Sequence, residues 1–106
     1  MTDLHQPTFR ALSDPTRRDI LRLLAAQEMT IADVSSHFDM TRAAVKKHLT
    51  VLSDGGLITV EVQGRTRINR INKDGFTPVL NWLEFFDQFW DDRLNILKQA
   101  IEKENK

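Results

Sequence analysis

The stretch "TRAAVKKHLTVLSDGGL", Thr41 to Leu57, gathers the side chains best suited to chemistry, and that chemistry is cationic. Arg42, Lys46 and Lys47 are charged donors without acceptors, and Thr41 and Thr50 place hydroxyls among them. Such a set suits the phosphate oxygens of a polyanion. His48 lies inside the same stretch, and the chain's other histidines are His5 and His37. No two of them have the short helical spacing of a zinc site, and the chain has no cysteine to supply a thiolate. A catalytic histidine needs a positioned partner, and no acid–base pair, nucleophile motif or glycine-rich phosphate loop accompanies this one. His48 is therefore read as a packed or hydrogen-bonded histidine beside the core-facing Leu49. The residue types point to binding rather than to an enzyme, and no cofactor or metal is expected.

The whole chain of 106 residues has no net charge, but its charge is unevenly placed. Residues 1–40 carry four bases against six acids, residues 41–73 seven against two, and residues 74–106 four against seven. The middle third, at +5, is the expected polyanion surface. A charge run can also do no more than solvate a face, so the elements that present these residues have to decide. Length and composition fit one domain over residues 1–106 with a modest core. The amino end has no apolar run like that of a signal peptide, and no stretch approaches the roughly 20 apolar residues of a membrane span. The chain is expected in the cytoplasm.

Local signals build helices around the cationic stretch. "TFRALSDPTRRDILRLLAAQEM" reads as two short helices, the second opened by Ser13 or Asp14 with Pro15 near its first position, and Ile20, Leu21, Leu23 and Leu24 recur at helical spacing. "TIADVSSHF" starts at Thr30 with Asp33 three residues on, an acidic relative of the capping box, and Ile31, Val34 and Phe38 form its core side. Thr41 caps the next helix, on which Val45, Leu49 and Leu52 share one side while Ala43, Lys46, Lys47 and Thr50 point elsewhere. Residues 30–53 are thus a helix-turn-helix. The short, polar, cationic face of its second helix suits a major groove, with Thr41, Arg42 and Ala43 nearest the base edges.

Gly55 and Gly56 stop that helix, and "LITVEVQGRTRINRI" alternates on either side of Gly64. Residues 57–71 are read as a β-hairpin, with Leu57, Ile58, Val60 and Val62 on its first strand and Ile68 and Ile71 on its second. Gln63, Arg65 and Arg67 lie at or beside the tip, so the hairpin is a wing able to reach phosphates or a minor groove. The expected fold class is mainly α with a small β-hairpin: a winged helix-turn-helix with a long carboxy-terminal helix over residues 77–104. Thr77 is its expected N-cap and Pro78 its first position, with no later Pro or Gly. Val79, Trp82, Leu83, Phe86, Trp90, Leu94, Leu97 and Ile101 form a stripe that Phe85 and Phe89 widen. Six of the eight aromatics fall between Phe76 and Trp90, more than one small core needs, so Trp82, Phe85, Phe86, Phe89, Trp90, Leu94 and Leu97 are expected at a homodimer interface.

"FRALSDPTRRDILRLL", "TIADVSSHFDMTRAAVKKHLTVLSDGGLI" and "VQGRTRINRI" together resemble the ArsR/SmtB family of winged-helix bacterial repressors over nearly the whole chain. The resemblance implies a homodimer that binds a double-stranded operator near its own gene and represses transcription, with terminal helices at the dimer interface. It also implies that effectors, where they exist, lower DNA affinity through a dimer-wide shift. Many relatives sense metals through cysteines in the first helix of the motif, where this chain has Ile31, Ala32, Asp33 and Val34. Others use a carboxylate and histidines on the last helix, where it has Asp91, Asp92, Glu102 and Glu104 but no histidine. The chain is similar to metal-independent members, and relief of repression is left open among a protein partner, a small apolar ligand and simple autoregulation. A two-fold dimer implies a pseudo-palindromic operator. The readings that compete are a winged-helix interaction module without specific DNA binding and a sensor with a non-standard metal or ligand site.

Overall fold

In the computed structural model, residues 4–104 are described, without the side chains of Trp90, Asp91 and Glu104. Helix α1 (Gln6–Leu12) begins two residues before the expected Thr8, with Pro7 in its first turn where a missing N–H costs nothing. Helix α2 (Pro15–Ala26) is capped by Asp14, whose carboxylate accepts the Arg17 N–H at 3.0 Å. Ile20, Leu21 and Leu24 are its buried face. Helix α3 (Ile31–Ser35) has the full reciprocal box: Asp33 N–H donates to Thr30 Oγ1 at 3.1 Å, and Thr30 N–H donates to Asp33 Oδ2 at 3.2 Å. It is shorter than its apolar pattern, so the partly buried Phe38 sits in the turn that follows rather than on the helix.

Helix α4 (Arg42–Asp54) starts at Thr41, whose hydroxyl accepts the Ala44 N–H at 3.1 Å. Its end is a Schellman motif. Leu57 N–H donates to Leu52 O at 3.0 Å and Gly56 N–H to Ser53 O at 2.9 Å, with Gly56 at φ 77°, where a side chain would be strained. Val45, Leu49 and Leu52 are buried, and they meet Ile20, Val34, Leu57 and Ile58 in one core.

Strands β2 (Ile58–Gln63) and β3 (Thr66–Ile71) pair from Ile58↔Ile71 to Gln63↔Thr66 across a two-residue turn. Gly64, at φ 63°, takes the first central position of that turn, which leaves Arg65 at the tip. The hairpin is one strand short of the observed sheet. Strand β1 (Met29–Thr30) adds to the far side of β3, so the order is β1-β3-β2. Two residues cannot show an alternation, and the pairing is made 40 residues away, where the buried Asn69 also donates its side-chain N–H to Met29 O at 3.2 Å.

The single helix expected over residues 77–104 is two helices. A 3-10 turn (Lys73–Phe76) runs into α5 (Thr77–Phe85), so Phe76 rather than Thr77 occupies the N-cap, without a side-chain bond. Phe86 then leaves helical geometry at φ −99°, ψ 6°, and α6 (Asp87–Glu104) begins. Neither Pro nor Gly marks the break. The Phe86 ring packs edge-on against Trp82 and Phe85, at 5.1 and 4.9 Å between centroids, and Asp87 places a carboxylate in the first turn of α6 where the helix dipole favours it.

Candidate nucleic-acid interface

Residues from α4 and the wing converge on one face. Arg42, Lys46 and Thr50 on α4 and Arg65 and Arg67 on the hairpin line a single cleft between them. Thr41, Ala43, Lys47 and Gln63 are exposed but do not line it: Thr41 is the cap, Ala43 and Lys47 lie further round α4, and Gln63 ends β2 beside the tip. The Thr50 hydroxyl donates to Lys46 O at 2.9 Å, which leaves its oxygen free to accept.

Two sets of cations differ by their partners, while Arg10, Lys73, Lys98 and Lys103, away from the cleft, also have no ion pair among the described residues. Arg17, Arg18 and Arg22 are spent within the body: Arg17 donates to Ala11 O and Arg10 O, Arg18 to Leu12 O, and Arg22 pairs with Asp19 at 2.8 Å. Arg42, Lys46, Lys47, Arg65 and Arg67 have no ion pair among the described residues. Arg70, counted in the sequence with the basic third, belongs with the first group. It bridges Glu28, just before β1, and Glu61 on β2, and those two bonds, the Glu28 one first, hold its guanidinium above its ordinary pKa. Each carboxylate lies on a different element from Arg70, so no local pattern announced the pairing.

His48 faces away from the cleft, toward the junction of α1 and α2. Its Nδ1 lies 3.4 Å from Arg17 Nη1 and 4.0 Å from Asp14 Oδ2. A guanidinium only donates, so the Arg17 contact fits a ring with an unprotonated Nδ1. The half-buried ring is thus hydrogen-bonded within the fold. Among the described residues no three His, Asp or Glu side chains are grouped to hold a metal ion.

A family model described as a helix-turn-helix domain matches residues 12–61. The transcriptional repressor SdpR of Bacillus subtilis is 33% identical over 86 residues, 81% of this chain and 96% of that protein. The crystal structure of an ArsR family transcriptional regulator is 38% identical, covers 80% of this chain and 93% of its own, and superposes with a TM-score of 0.73. The chain belongs to the ArsR family of winged helix-turn-helix transcriptional regulators. The solution structure of a homodimeric winged helix-turn-helix DNA-binding domain from Mycobacterium bovis is 23% identical with a TM-score of 0.62, over 80% of this chain and 81% of that one, and shares the fold. In ArsR family terms the helix-turn-helix here is α3 and α4, and the wing is β2 and β3. No helix among the described residues is long and apolar enough to cross a membrane.

Proposed function

We propose that the chain is a homodimeric repressor that binds a pseudo-palindromic operator at its own or a neighbouring promoter and does not respond to metals. The observation that carries this reading is a contrast between cations: Arg42, Lys46, Arg65 and Arg67 share one face without an ion pair among the described residues, while Arg17, Arg18, Arg22 and Arg70 are tied down. Arg42, with Thr41 and Ala43 at the start of α4, reads base edges, and Lys46, Lys47 and Thr50 bind bases or phosphates along the groove. Gln63, Arg65 and Arg67 bring the wing onto the backbone or into the minor groove.

Dimerisation is supported by the apolar surface of α5 and α6 and by the homodimeric state of the M. bovis relative. Trp82 touches Phe9 of α1 at 6.1 Å and Phe86, so part of the cluster packs on its own protomer. Phe85, Leu94 and Leu97 expose apolar surface for the partner beside Phe89, which also carries the Arg93 guanidinium over its ring at 5.2 Å, and the Trp90 side chain lies outside the described residues. Selection from a random pool of duplexes tests the reading. The expected winner has two inverted half-sites about 10–10.5 base pairs apart, or a multiple of that spacing. A pool that gains no sequence, or gains only a single half-site, contradicts it.

A further inference from the structure

The cleft between α4 and the wing, about 690 Å³, has a chemistry that a phosphate backbone only half uses. Its rim holds Arg42 and Lys46 on one side and Arg65 and Arg67 on the other, against the single carboxylate of Asp54. Its wall holds an apolar patch of Ile31 on α3, Leu49 on α4 and Val60 on β2, set among polar residues such as Thr30, Ser53 and Asn69. Val60 is 40% exposed although it shares a sheet face with the buried Ile58 and Asn69. A duplex neutralises the rim, but a charged strand laid against valine and isoleucine gains nothing from them.

An apolar patch beside convergent charges is the usual make-up of a small-molecule site, and the cleft falls within the size range of such sites. We propose that this cleft binds a small organic anion, a carboxylate or sulfonate on an apolar body. The body lies against Val60, Leu49 and Ile31, and the acidic group lies between Lys46 and Arg67. Both ligands need the same cations, so the anion and the operator exclude one another. As a regulatory device the site rests on the DNA-binding reading above; as a binding site it does not. Mass action then sets the effect: at ten times its own Kd, the anion weakens binding roughly tenfold per protomer, and so about a hundredfold for a dimer that must clear both clefts.

The test is a titration of the 15N-labelled chain of 106 residues with 2-naphthoate, followed by amide chemical shifts, beside parallel titrations with inorganic phosphate and uncharged 2-naphthamide. Saturable shifts at Ile31, Lys46, Leu49, Val60 and Arg67 with naphthoate alone are expected. Both Val60→Asp and the fully surface change Lys46→Glu should remove them while the rest of the spectrum is kept. No saturation in the millimolar range, shifts confined to α5 and α6, or equal affinity for phosphate would each overturn the proposal. DNA binding is measured separately by anisotropy. Operator binding that naphthoate does not displace removes the regulatory role, whereas saturation of the cleft in a chain that binds no DNA keeps the site and defeats the DNA reading.

Discussion

Arg65 and Arg70 carry the same charge on one hairpin, yet only Arg65 is free to meet a ligand. Arg65 sits at the turn without an ion pair among the described residues, whereas Arg70 is held by Glu28 and Glu61. Arg65→Ala should therefore weaken every duplex to a similar degree and lower the slope of log affinity against log salt by about 1. Arg70→Ala should leave that slope unchanged, because it releases no phosphate contact. Arg42→Ala should instead relax discrimination at one base pair by about 1–3 kcal/mol, read on a series of single-base operator variants. Equal losses on every variant would remove Arg42 as a base reader. The sequence shows each of these charges but not its partner: Glu28 lies 42 residues from Arg70, and a charge count weighs both arginines alike.

The elements that aim these residues were legible where their signals are local. Thr30 with Asp33, Thr41 before the cationic helix and Gly56 after it lie within a few residues of the groups they satisfy, and all three end or start a helix as their chemistry dictates. Strand β1 and the break at Phe86 were not legible, because each depends on packing between distant or bulky groups rather than on a turn residue. The cap at Asp14 yields a prediction in pH. The Arg17 backbone N–H that it accepts lowers its carboxyl pKa, so in the folded chain the group titrates below its unfolded value. Its stabilisation is present above the unfolded pKa and is lost as pH falls through the lowered one. Asp14→Ala should cost about 1 kcal/mol at neutral pH by urea unfolding, and that difference should shrink in acid. A difference that stays constant with pH would assign the cost to packing instead. Deeper in the fold, Leu52→Ala removes a fully buried side chain beneath α4 and should cost about 2–5 kcal/mol, with DNA binding lost only as far as the fold is.

As a whole, the molecule is extended rather than compact. Its radius of gyration is 18.0 Å, against about 13 Å for a compact chain of this length, and every described side chain of α6 is exposed. Leu94, Ile96, Leu97 and Ile101 are each at least half exposed there, a surface that a lone small chain does not ordinarily leave in water. Leu94→Asp with Leu97→Asp should give a monomer by sedimentation while α1–α4 and the wing stay folded, and should cost far more on a two-half-site duplex than on one half-site. A double variant that remains dimeric would place the interface elsewhere. Sequence-specific binding through the cationic face of α4 and the wing is to be measured by anisotropy on DNA from just upstream of the chain's own gene. A scrambled duplex serves as the control, and both are measured at several salt concentrations. A preference of about 1000-fold or more, falling steeply with salt, is the expected result. Equal affinity for both duplexes, or binding to neither, would contradict it.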